Sequence, residues 1–138
     1  MKYENIIIEK REFALLMEII SLAPHNSDPS YKAAIGKLTD ELRAAEIREH
    51  DEMPEEVVRL YSTVSIKTPY QEQQSYKLVH PNKSDISKNK LSVLAPMGLA
   101  LIGYASGDEI QWQFPSGINT IQILDVKQLQ SAPKIETT

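Results

Sequence analysis

The chain has 138 residues, 41% apolar and 25% charged, the balance of an ordinary globular domain. It contains no cysteine, which excludes disulfides, thiolate metal sites and cysteine nucleophiles. The net charge of −4, from 15 basic and 19 acidic residues, disfavours nucleic acid as a direct partner, because phosphate contacts need clustered Lys and Arg. No basic stripe is visible along the chain, and a protein partner is the expectation. The start, "MKYENIIIEK", has three consecutive isoleucines, far short of a signal-peptide core or a membrane span. A soluble, cytoplasmic protein without membrane association is therefore expected.

Two helices come first. Phe13, Leu16, Met17 and Ile20 fall at i, i+3, i+4 and i+7, one apolar stripe. Pro24 and the polar run "PHNSDPS" end it. Ser30 is a suitable N-cap for the second helix. There Tyr31, Ile35, Leu38, Leu42 and Ala45 make the stripe, with Lys37, Glu41 and Arg43 facing away. Two such stripes joined by a short polar loop predict an antiparallel helical hairpin over residues 10–47. Each arm reaches roughly 20–25 Å at 1.5 Å per residue.

"REHDEMPEE", residues 48–56, reads as a solvated linker closed by Pro54. Beyond it the period changes to 2. Val64 and Ile66 alternate with Thr63, Ser65 and Lys67, and Tyr76 and Leu78 with Lys77, which predicts strands. "HPNKSDISKNK" is a loop, and Leu91 to Leu94 the next strand. Pro96 suits the first turn of a helix running through Met97 to Ile102, and Gly103 the left-handed position after it. After the turn "SGDE", Ile110, Trp112 and Phe114 alternate with Gln111 and Gln113. "FPSG" is a hairpin turn, and Ile121 and Ile123 point inward on a return strand ending near Val126. The tail "QSAPKIETT" has nothing to bury. The sum is an α+β chain, with a helical hairpin over residues 1–50 and an antiparallel sheet with one short helix over 51–138.

Residues 91–126 resemble the C-terminal domain of the Gre transcript-cleavage factors. The strand Leu91–Leu94, the step Ala95-Pro96-Met97, the pair Leu101-Ile102, the turn Gly107-Asp108 and the hairpin Pro115-Ser116-Gly117 follow that family's order and spacing. The likeness is closer to its short members, the regulators of nucleoside diphosphate kinase. These carry Ala-Pro at the step and an entry like Glu52-Met53-Pro54 with Val57-Val58. The resemblance implies an FKBP-like C-terminal domain that docks on RNA polymerase beside the secondary channel. It makes Leu94, Ala95, Pro96 and Met97 the docking residues, although Leu94 stands where the family has an acidic residue. In Gre factors a long coiled coil enters the channel, and acidic residues at its tip help hold a catalytic magnesium. Here the corresponding tip, "PHNSDPS", has one carboxylate, Asp28, where the family uses two. One carboxylate is a poor magnesium site.

The residues themselves leave more than one reading. Asp28 is either a remnant of that acidic tip or an ordinary Asx-turn residue. His25, His50 and His80 have neither metal-ligand nor triad spacing, so no metal or cofactor is expected. Trp112 and Phe114 fit core packing better than a ligand pocket. Leu94, by alternation opposite Leu91 and Val93, is expected to turn outward and form an exposed apolar step with Pro96 and Met97. The leading expectation is a polymerase-binding regulator, not an enzyme, that competes with Gre factors without stimulating cleavage. The alternatives are a peptidyl-prolyl isomerase, suggested by fold alone, and a scaffold with another protein partner.

Overall fold

The computed structural model describes residues 2–23, 29–114 and 117–128. Strand β1 (Ile7–Glu9) runs straight into helix α1 (Lys10–Ser21), and helix α2 (Pro29–Arg43) leads into strand β2 (Glu46–Arg48). Five strands follow with a short helix among them: β3 (Thr63–Thr68), β4 (Gln71–Val79), β5 (Lys90–Ser92), α3 (Pro96–Leu101), β6 (Glu109–Phe114) and β7 (Gly117–Lys127).

Glu9 begins α1, its Oε1 accepting the backbone N–H groups of Arg11 and Glu12 at 3.0 Å each. The buried stripe is Leu16 and Ile19, with Phe13 and Ile20 half-buried and Met17 exposed. It is thus rotated from the expected one centred on Leu16 and Met17. Almost every residue from 13 to 20 is apolar, so periodicity alone permits several rotations. A polar contact selects one. Glu12 lies on the Leu16 face and takes both Nε and Nη2 of Arg59 on Oε2, at 2.9 and 2.7 Å. Helix α2 starts at Pro29, so Ser30 falls inside its first turn instead of capping it. Leu38 and Leu42 are buried as the pattern requires.

β1 and β2 pair in parallel, Ile7 opposite Glu46 and Glu9 opposite Arg48. This pairing was not expected, since three-residue strands carry too little periodicity to read. What fixes β1 is burial. Ile6, Ile7 and Ile8 are at most 2% exposed, and each fully buried isoleucine contributes about 1.5–3 kcal/mol. The Ile7 N–H also donates to the Gly103 carbonyl at 3.3 Å. Gly103 sits at φ +85, where a Cβ would lie 2.8 Å from the Ile6 Cβ. A glycine is required there on both counts.

The second sheet has the order β5-β4-β3-β7-β6. β3–β4, β3–β7 and β6–β7 are antiparallel, but β4 and β5 are parallel. The sheet is therefore mixed, not antiparallel throughout. The cause is the connection through residues 80–89, which makes two 3-10 turns, 81–83 and 86–88. It then reverses at Asn89, φ +56, and delivers Lys90 beside Lys77. Phe114 pairs with Gly117, as a two-residue hairpin connection requires, although Pro115 and Ser116 lie outside the described residues.

One core joins the helices to the sheet. Leu16, Ile19, Leu38 and Leu42 belong to the same buried cluster as Val64, Ile66, Leu78, Ile121 and Ile123. The charged run 48–56 is anchored rather than free. Glu56 accepts from Lys2 Nζ and from the Tyr3 hydroxyl, both at 2.5 Å. Among the described residues no helix is long and apolar enough to cross a membrane.

Candidate partner-docking surface

The step at 94–97 is built by a turn. β5 ends at Ser92, whose Oγ accepts the Leu94 N–H and whose carbonyl accepts the Ala95 N–H, both at 3.0 Å. Strand alternation stops there, two residues earlier than the sequence implies. That overturns the expectation that Leu94 faces outward. Leu94 and Met97 are half-buried and pack against the core, Ala95 is half-buried, and Pro96 alone of the four is exposed. Pro96 opens α3 at its first position, where a missing N–H costs nothing. Gly98 lets α3 lie directly on the strand end, since a Cβ there would sit 2.3 Å from the Ser92 carbonyl oxygen.

The step is also tied to the helices. The Tyr31 hydroxyl on α2 donates to the Leu94 carbonyl at 3.0 Å, and burial pushes its pKa up, which keeps it a donor. Six and ten residues further along α2, Lys37 and Glu41 meet Tyr104 just after α3. Lys37 Nζ donates to Glu41 Oε2 at 2.8 Å and to the Tyr104 hydroxyl at 3.1 Å, and that hydroxyl donates to Glu41. Burial, followed by the Glu41 contact, pushes the Tyr104 hydroxyl above the ordinary tyrosine range. Lys37 and Glu41 were expected to face away. They sit at the edge of the stripe, close enough to close over a tyrosine the periodicity could not reveal.

Asp28 and His25 lie outside the described residues. His80 Nδ1 accepts the Asn82 N–H at 3.1 Å, and His50 Nδ1 stands 3.2 Å from Arg59 Nη2. Among the described residues no cluster of His, Asp and Glu gathers to hold a metal ion. Trp112 is half-buried against the core, while the Phe114 side chain lies outside what is described.

The solvent face of the sheet carries a feature missed in the sequence. Lys90 on β5 pairs with Lys77 on β4, Lys77 with Thr63 on β3, and Thr63 with Lys127 on β7. The expectation that no basic stripe exists is corrected. These lysines are scattered along the chain, and strand register brings them into one row.

The family model described as "Transcription elongation factor, GreA/GreB, C-term" matches residues 53–128. The "Regulator of nucleoside diphosphate kinase" of Escherichia coli strain K12 is 38% identical over 98 residues, 70% of this chain and 71% of that protein. A "Transcription elongation factor GreA" from Syntrophus aciditrophicus strain SB is 46% identical over 54 residues, 39% of this chain and 34% of that one. Among solved structures, a "Prokaryotic transcription elongation factor GreA/GreB from Nitrosomonas europaea" superposes with a TM-score of 0.71 at 32% identity, covering 91% of this chain and 99% of its own. These relatives are regulators and elongation factors, and the prolyl-isomerase reading gains nothing from them.

Proposed function

Because the chain belongs to the GreA/GreB transcription elongation factor family, we propose that it regulates transcription by docking on RNA polymerase beside the secondary channel. The contact is the step Leu94, Ala95, Pro96 and Met97, with Pro96 at its exposed point. The observation that carries this reading is the way that corner is held. A six-residue helix starts on Pro96, rests on β5 through Gly98, and is braced from α2 by Tyr31. A preformed apolar corner loses little entropy on binding. The same reading implies a cytoplasmic protein.

The protein does not itself stimulate transcript cleavage and competes with factors that do. α1 and α2 have 12 and 15 residues, so they reach about 18 and 22 Å, short for a probe of a polymerase channel. The segment between them offers one carboxylate, Asp28, whereas two-ion phosphodiester hydrolysis needs both ions held. The test begins with binding to immobilised RNA polymerase, which Pro96→Glu should weaken at least tenfold without changing the melting temperature. A backtracked elongation complex is then incubated with the protein and magnesium. No 3′ RNA fragment should be released, and added Gre factor should be inhibited. Faster release that Asp28→Ala abolishes would make this an active cleavage factor.

A further inference from the structure

We propose that the outer face of the larger sheet docks the phosphodiester backbone of nucleic acid without regard to base sequence. The row Lys90–Lys77–Thr63–Lys127 crosses four neighbouring strands. At about 4.8 Å per strand it spans roughly 14 Å. On three of the four strands the adjacent residue, Leu78, Val64 or Val126, is buried, which turns the row to the solvent side, with Lys127 exposed and Lys77 and Lys90 half-buried. Lys67, four residues along β3 from Thr63, is exposed on the same side.

None of these four lysines is in an ion pair among the described residues. Three carboxylates stand near these four lysines, and Glu109 on β6 is one of them, across Gln122 from Lys67. Asp125 stands opposite Ser65, two residues from Lys127, and Asp85 pairs with Lys90 through backbone hydrogen bonds only, its Oδ1 accepting the Ser87 hydroxyl at 2.6 Å. The row therefore keeps a local positive excess on a chain of net charge −4. The distant acids do not cancel it, because exposed charges are screened beyond about 8–10 Å at physiological salt.

The surrounding residues decide what the excess attracts. Between the lysines lie hydroxyls, Thr63 and the pair Ser65 and Ser75, whose Oγ atoms are 2.8 Å apart. Protein interfaces concentrate aromatics, Met and Arg at their centre and are depleted in Lys and Ser. Phosphate contacts draw on Lys, Ser and Thr. The composition fits a phosphate backbone and not an acidic protein segment. The inference stands apart from polymerase binding, and its test contains no polymerase.

The probe is a fluorescent mixed-sequence RNA strand, read by anisotropy, with a duplex DNA of equal length as a second arm. Three lysine–phosphate contacts predict a slope of log affinity against log salt of about −2 for a single strand. A fourfold rise in salt then weakens binding roughly 16-fold. Joint Lys77→Gln, Lys90→Gln and Lys127→Gln should reduce affinity at least tenfold at low salt and flatten the slope. A control with the same charge change, Arg11→Gln, Lys32→Gln and Arg43→Gln on exposed helix positions, should leave both unchanged. The pair Lys67→Gln and Lys127→Gln, both exposed, repeats the test if the triple variant fails to fold. Binding in either arm supports the proposal and names its source. No binding at low salt, an equal loss in the control, or equally tight capture of a polyglutamate peptide overturns it.

Discussion

The same substitution, glycine to alanine, should have opposite effects in two helices of this protein. At Gly98 in α3 a Cβ would lie 2.3 Å from the Ser92 carbonyl oxygen and 3.0 Å from the Val93 Cα, both backbone atoms. An ordinary carbon–oxygen approach is about 3.3 Å or more, so α3 must lift from β5 by about 1 Å. Overpacking of this kind costs about 1–3 kcal/mol, and helix propensity returns up to about 1 kcal/mol. Because the clash is with backbone atoms, the upper part of that range applies, and the net loss of about 1–2 kcal/mol lowers the melting temperature of a chain of this size by about 3–10 °C. At Gly36, on the exposed side of α2, nothing lies within 4 Å of the added Cβ. There propensity acts alone, and alanine should stabilise by about 0.4–1 kcal/mol. Thermal melts followed by circular dichroism measure both. Lifting α3 also shifts Pro96 and Met97, so Gly98→Ala should weaken polymerase binding, which Gly36→Ala leaves alone. A Gly98→Ala protein that melts at or above the parent temperature refutes the close packing of α3 on β5.

Two further expectations concern polar contacts between helices and sheet. Arg59→Met strands the Glu12 carboxylate without its partner, which should cost about 3 kcal/mol or more near neutral pH. Burial already holds the Glu12 pKa above the usual carboxylate range, and Arg59 works against that rise. In the variant the pKa rises further, so stability is greatest at acid pH, where the group is neutral, and falls as pH rises through its folded value. Melts at acid and alkaline pH should show the larger deficit at the alkaline end, and an equal deficit at both would mean that the Glu12 charge is not what the arginine neutralises. Tyr104→Phe removes the hydroxyl shared by Lys37 and Glu41 but leaves their own contact at 2.8 Å. The loss should be about 1 kcal/mol, with faster amide exchange confined to α2 and α3; an unchanged exchange pattern there would show that the tyrosine does not hold α2 in place.

What could be read in the sequence was local. Pro96 and Gly103 bracket α3 because their backbone restrictions act within one residue, and both do what their chemistry dictates. The hairpin of β6 and β7 follows from alternation interrupted by a short turn. The rotation of α1 was not legible, since its apolar residues run almost all the way round. It was settled by Arg59, which is 47 residues from Glu12. The β1–β2 pair and the parallel β4–β5 pair depend likewise on partners distant along the chain.

The candidate surfaces divide along the same line. The step at 94–97 could be located from its own residues, because a proline opening a small-residue helix is a local pattern. Which of its side chains reach solvent depended on where β5 stops, and a serine at 92 that binds the backbone N–H groups of Leu94 and Ala95 ends it early. The lysine row has no local pattern at all. Lys77, Lys90 and Lys127 are separated by 13 and 37 residues along the chain, and each alone is an ordinary polar strand residue. Their proximity rests on three pairings that must hold at once, and a slip of one residue in any of them sends a lysine to the buried face. Val64, Leu78 and Val126 prevent that slip, because each would have to leave the core for its neighbour to enter. The apolar face of the sheet thus determines the charge pattern on the polar face.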